Sequence, residues 1–206
     1  MKKVTIIFTI LVSIAATSVA QLDNAKWGNE TRRIVNGKQF RVLFDEVVIN
    51  KTVDEVWNDV AGNFTTIGEI TKSINFTRSL SGDTLSGLGA ARLCNINIQG
   101  KTIEIKERII DYKECGDHRE FTYDVYESTG GPVKTYATWS VRKGEDGKTY
   151  LRSAFIFRAN FGPITGLVER QLKKAGLRAG VLVYKHYLET GEKNVDAKRL
   201  LEMYPI

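Results

Sequence analysis

The stretch GLGAARLCNINIQGKTIEIKERI, residues 87–109, reads as a β-hairpin: two alternating runs hinge on Gln99-Gly100, where glycine supplies the backbone freedom of a tight turn. Pairing across that turn sets Ile96 opposite Ile103, Cys94 opposite Ile105 and Arg92 opposite Glu107. One face then carries Ala90, Cys94, Ile96, Ile103, Ile105 and Ile109, and the other Asn95, Asn97, Thr102, Glu104, Lys106 and Arg108. A slip of one residue would bring Arg92 against Lys106 or Arg108 and mix polar with apolar on both faces, so the register is fixed by its own pattern. The apolar face points inward, and it holds an opposed arginine and glutamate. A lone buried charge is too costly to keep, so these two pair. Two roles are open to them: a structural ion pair, or a polar anchor for a ligand in an otherwise apolar pocket.

The rest of the chain extends this hairpin into a meander. Alternating segments at about 74–81, 88–98, 101–113, 119–128, 133–143 and 149–159 are separated by Ser81-Gly82-Asp83, Gln99-Gly100, Cys115-Gly116-Asp117, Gly130-Gly131-Pro132 and Glu145-Asp146-Gly147. A seventh strand lies upstream at 39–49. Thr52-Val53-Asp54-Glu55 has the form of a capping box, and Val53, Val56, Trp57 and Val60 follow at helical spacing, so a short helix spans about 53–61, with a second helical turn between Phe64 and Ile70. Pro163 opens a long helix to about Glu189, and a short tail helix runs from Asp196 to Met203. The expected fold is α+β: a strongly curved seven-stranded antiparallel sheet around a long C-terminal helix, with two short helices after the first strand. A bent sheet and one helix leave room for a cavity between them.

Residues 1–20 form a Lys2-Lys3 start, an apolar run and a Ser18-Val19-Ala20 end, the pattern of a secretory signal cleaved after Ala20. Residues 21–38 then form a polar N-terminal arm with Trp27, residues 39–190 the main domain, and 191–206 a C-terminal tail. The expected destination is the periplasm or the medium. Across all 206 residues, 30 Lys+Arg against 24 Asp+Glu give +6; loss of Lys2 and Lys3 with the signal leaves +4. Arg170, Lys173, Lys174, Arg178 and Lys185 against Glu169 account for that excess on the long helix. This is a solvated face or a weak contact to anionic membrane, and a nucleic-acid partner is excluded for an exported chain.

Cys94 and Cys115 are the only cysteines. In the hairpin register Cys115 sits about ten residues beyond the partner position of Cys94, roughly 30 Å along the strands, whereas a disulfide needs α-carbons within about 7 Å. Both thiols are expected free, with Cys94 in the core. No metal-ligand spacing, phosphate-cradling loop or nucleophile–base pair stands out, and no cofactor is implied. Among the inward positions, Tyr123, Trp139 and Phe155 are candidates to line a pocket. At 100° per residue from Ile164, the residues Val168, Leu172, Ala175, Ala179, Leu182 and His186 share the helix arc expected to cover the sheet, with Gln171 at its border. Leu177, Val181, Tyr184 and Leu188 form a second apolar stripe, to be covered by the tail, by the arm or by a second subunit.

With Arg92 and Glu107 placed, the residues Gly87 to Cys94, Gly100, Glu107-Arg108-Ile109, Asp111, Tyr123 and Pro132, together with Val56, Trp57, Phe64 and Ile67, resemble the polyketide cyclase/dehydrase and lipid-transport family. That family belongs to the helix-grip superfamily of START-related lipid-transfer domains and the birch-pollen allergen. Where family members often carry a Trp and a Pro, this chain reads Glu69-Ile70-Thr71-Lys72. The resemblance implies a binding or carrier protein for a small, largely apolar molecule, with Arg92, Glu107, Tyr123, Trp139, Phe155, Gln171 and His186 around it. It also leaves open a cyclase, dehydratase or hydrolase using Glu107 and His186, and an envelope interaction module that holds no ligand.

Overall fold

The computed structural model describes residues 31–35, 37–98, 100–130, 134–158, 166, 169–170 and 172–205. The signal segment, the arm up to residue 30 with Trp27, residues 159–165 with Pro163 at the expected start of the long helix, and Gln171 lie outside them. Eight strands form one antiparallel sheet: β1 (Arg32–Val35), β2 (Lys38–Ile49), β3 (Ile74–Ser79), β4 (Ala91–Ile98), β5 (Lys101–Cys115), β6 (His118–Ser128), β7 (Thr135–Lys143) and β8 (Thr149–Phe157). Their order is β1-β2-β8-β7-β6-β5-β4-β3.

The expected count of seven strands is thus one short. The added strand is β1, which pairs Val35 with Lys38 and Arg33 with Phe40 across Asn36-Gly37. Asn-Gly between apolar runs is a strong short hairpin signal, and Gly37 takes φ +70 as such a turn demands. The segment read as an arm contains too few apolar residues to show this from periodicity.

The deciding hairpin forms as its pattern requires, with Arg92 opposite Glu107, Cys94 opposite Ile105 and Ile96 opposite Ile103. Bulges interrupt the neighbouring β5–β6 ladder between Lys106 and Glu107 and again between Ile109 and Asp111. The first places an extra residue, Tyr126, on β6 opposite Glu107 and the second places Ile110 on β5, and an extra residue bends the strand that carries it.

Helix α1 (Val53–Gly62) starts on the capping box: the Glu55 N–H donates to Thr52 Oγ1 at 3.2 Å, and the Thr52 N–H donates to Glu55 Oε2 at 2.8 Å. It buries Val53, Val56, Trp57 and Val60 against the inner face of the sheet, and the Trp57 indole N–H donates to Glu114 Oε1. A single 3-10 turn follows at Ile67–Glu69. Beyond β8, a π-helical segment Leu172–Arg178 runs into α2 (Ala179–Thr190), which ends on Gly191 in a left-handed conformation; α3 (Ala197–Met203) closes the chain, capped by Asp196. Among the described residues no helix is long and apolar enough to cross a membrane.

The main core lies between the inner face of the sheet and the helices. A second cluster occupies the outer face, where Val35, Phe40, Val42, Ala154 and Ile156 are buried. Ile156 thus faces outward and its neighbours Phe155 and Phe157 inward, so β8 is apolar on both faces.

The π-helical segment overturns the expected helix phase. Its hydrogen bonds close over one more residue than in an α-helix, so each residue turns through less than 100° and the phase slips over seven residues. Tyr184, expected to face away from the sheet, packs on Trp139 of β7 with ring centroids 5.0 Å apart. His186, expected over the sheet, turns to the tail. Val181, Tyr184 and Leu188 are buried within the chain's own core, so this stripe is not a subunit interface. The cationic face is corrected in part as well. Arg178 pairs with Asp45 of β2 at 3.5 Å, and Lys185 donates to the Val48 carbonyl at 2.7 Å and pairs with Glu189, so these two fasten the helix rather than face a membrane. Arg170 and Lys173 are exposed.

Candidate functional site

A cavity of about 270 Å³ lies between the sheet and the C-terminal helix. The sheet contributes Arg92 from β4, Phe121 and Tyr123 from β6 and Trp139 from β7. The aromatic rings form a chain: Phe64 lies 5.8 Å from Phe121 and 5.6 Å from Tyr123. From the helix side come Gly176, Ala179, Gly180, Val183 and Tyr184. Nothing lies within 4 Å of where a side chain at Gly176 would begin, and at Gly180 only Trp139 does, at 3.8 Å. Gly176 and Gly180 thereby make room for the cavity.

The inner end is polar. The Arg92 Nε donates to Glu107 Oε2 at 2.5 Å and its Nη1 to the Phe64 carbonyl at 2.5 Å. Both residues are buried, at 6% and 4% exposure. The guanidinium also lies over the Phe64 ring, 4.2 Å from its centroid, and 5.2 Å from that of Tyr123. Cys94 Sγ donates to the same Glu107 oxygen at 3.4 Å, and burial, opposed by Arg92, pushes its thiol up to about 12. Burial, reinforced by Glu107, raises the Tyr123 phenol, and burial raises that of Tyr184. Trp139 opposes the rise at Tyr123. Both phenols stay protonated near neutral pH, so each keeps an O–H able to donate.

The other end is bounded by Thr71, Ser73, Val195 and Ala197, with the Thr71 and Ser73 hydroxyls 2.8 Å apart. The tail reaches this rim by design of its turns. Asn194 takes φ +59, its N–H donates to the Ile70 carbonyl at 3.1 Å, and its side-chain amide donates to the Glu69 carbonyl at 3.3 Å. These contacts fall at the Glu69-Ile70-Thr71 stretch.

Of the residues marked in sequence, Arg92, Tyr123 and Trp139 wall the cavity. Glu107 stands behind Arg92 and is not part of the wall. Phe155 is not part of it either: it stacks on Phe157 at 5.2 Å, because the β8 inner face passes beside the cavity toward the β2 edge. His186 points to the tail, its Nδ1 3.1 Å from the Tyr204 hydroxyl and its Nε2 2.9 Å from Glu192 Oε2. Glu107 and His186 therefore do not meet across one space. Tyr184, Gly176, Gly180, Thr71 and Val195 enter the site without having been marked for it.

No protein-family model matches the chain, and no curated protein is significantly similar to it in sequence. Solved structures do match. Ara h 8.0201 superposes with a TM-score of 0.56 at 13% identity, over 73% of this chain and 99% of that one. A protein from Thermobifida fusca gives 0.55 at 17%, over 75% and 97%, and XoxI from Bacillus cereus gives 0.54 at 16%, over 74% and 99%. The chain has the helix-grip fold. At these identities the likeness speaks for the fold alone, and the helix-grip neighbours' whole length is accounted for by about three-quarters of this chain.

Proposed function

We propose that this helix-grip protein binds and carries a small, largely apolar molecule between its sheet and its C-terminal helix. The observation that carries the reading is the aromatic-walled cavity of about 270 Å³ with a buried, charge-balanced arginine at its inner end. A packed core leaves no such space without a reason, because an unfilled void forfeits dispersion contacts along its whole lining. The resemblance of Gly87–Cys94 and Glu107–Ile109 to a family of lipid carriers and cyclases supports the same reading. Residues 1–20 support export, so the carrier works in the periplasm or outside the cell.

An enzyme built on Glu107 and His186 fits the geometry poorly, since the one is engaged by Arg92 and the other by the tail. The test is binding of the uncharged dye N-phenyl-1-naphthylamine to the chain, with native mass spectrometry of protein purified from its source. Saturable dye fluorescence, lost when Gly176→Leu fills the cavity, is the expected result. No saturable binding together with a bare mass would refute the reading.

A further inference from the structure

We infer that the molecule held here is uncharged, about two fused rings in size, and led into the cavity by a hydrogen-bond acceptor such as a ring carbonyl. This rests on the binding reading above and narrows it by charge, size and polarity.

Charge comes first. Among the described residues Arg92 is the one charged residue in the cavity wall, and Glu107 already neutralises it at 2.5 Å. A ligand carboxylate would bring a net negative charge into a buried site whose arginine is committed, and a ligand cation would face the guanidinium directly. Either costs far more than an uncharged group.

Polarity follows from what each group still offers. Arg92 has five N–H donors, and its hydrogen bonds to protein leave from Nε and Nη1 alone, so Nη2 has no acceptor among the described residues. The Tyr123 hydroxyl, on the cavity wall, has no hydrogen-bond acceptor among the described residues. Tyr184 is 4% exposed, stands against Trp139 on the same wall, and its hydroxyl has no hydrogen-bond partner among the described residues. Buried polar groups left unmatched are uncommon and call for a missing partner. The neighbouring carboxylate is occupied by Arg92 and Cys94, so this end is rich in donors and asks for an acceptor.

Size follows from volume. An apolar cavity of about 150 Å³ admits benzene, so 270 Å³ has room for about two fused rings. The faces of Phe64, Phe121 and Trp139 favour a flat outline.

The test uses three probes on one skeleton against the whole chain: 1-tetralone, tetralin and 1,2,3,4-tetrahydro-1-naphthoate, each read by displacement of N-phenyl-1-naphthylamine. One net hydrogen bond makes 1-tetralone roughly three- to tenfold tighter than tetralin, with the carboxylate weakest. The double variant Tyr123→Phe/Tyr184→Phe, which keeps both rings, should lose about threefold of that preference while its melting temperature confirms folding. Tetralin binding as tightly as 1-tetralone, the carboxylate binding tightest, or an unchanged preference in the double variant would each overturn the inference while leaving the binding reading intact. Dye binding with no competition from any probe would do the same, whereas failure of the dye itself together with a bare mass would remove the binding reading.

Discussion

Replacing Glu107 by Ala tests whether the pair at the inner end is held by charge. The Arg92 and Glu107 side chains are 8% and 5% exposed, so the variant leaves a guanidinium nearly out of water without its counter-charge. Breaking a buried pair from one side costs about 3–5 kcal/mol. Here the Phe64 carbonyl and ring still face the guanidinium, which places the loss near the lower bound, about 3 kcal/mol. For a chain of this size that is a fall of roughly 6–12 °C in Tm. The companion variant Arg92→Met/Glu107→Leu removes both charges at similar volume. It leaves one unmatched carbonyl at Phe64 and should return to within about 1–2 kcal/mol of the parent. Urea unfolding followed by far-UV circular dichroism at pH 7 measures both. A single variant within about 1 kcal/mol of the parent, or a double variant as unstable as the single one, would refute the reasoning, since the cost would then lie in shape and not in charge.

Three further outcomes follow from the same geometry. Gly180→Ala should stabilise the chain by about 0.5–1 kcal/mol, because the residue is helical and its new methyl group meets only Trp139 at an ordinary 3.8 Å; urea unfolding checks this. Ellman's reagent should label one thiol in the native protein and two after denaturation, since Cys115 is exposed whereas Cys94 is buried with its thiol raised to about 12. Glu192 is held below its ordinary value of 4.5 by its hydrogen bond from His186, with Arg199 adding to the effect. A lowered carboxylate stabilises the fold above its unfolded value and loses that contribution as pH falls through the folded one. Proteolysis within residues 191–196 should therefore rise below about pH 4.5, and Glu192→Gln should flatten that dependence.

Legibility differed from element to element for physical reasons. The β4–β5 hairpin could be paired residue by residue because each strand has one apolar and one polar face, and only one register keeps them separate. The capping box of α1 was equally plain, since Thr52 and Glu55 name the first turn by themselves. β1 was hidden because its four residues carry only Ile34 and Val35 as apolar signal, and Ile34 is exposed. The site was half legible. Inward-facing Arg92, Tyr123 and Trp139 followed from strand alternation, which holds locally. Tyr184 and His186 exchanged places because helix phase accumulates along the chain, and the π-helical segment Leu172–Arg178 carries no sequence mark that corrects it. Phe155 shows a further limit: alternation assigns a face but not a position along it.

The cavity persists because the helix above it is pinned, and the pins are polar. An apolar helix over an apolar sheet would settle until the void closed, gaining dispersion contacts as it did so. Here Arg178 is tied to Asp45 and Arg41 to Glu169 at the entry of the helix, while Lys185 holds the Val48 carbonyl and Glu189 accepts from the Asn50 N–H near its end. All four contacts join the helix to β2 or to the residue after it, on one flank of the cavity. On the other flank Asn194 ties the tail to the Glu69 and Ile70 carbonyls. Hydrogen bonds have a set length, so the helix is stopped at the height they define, and Gly176 and Gly180 keep its underside bare at that height. The cationic residues of the helix thus have a structural role in the volume of the site, which explains why Arg178 and Lys185 lie against β2 while Arg170 and Lys173 remain in solvent.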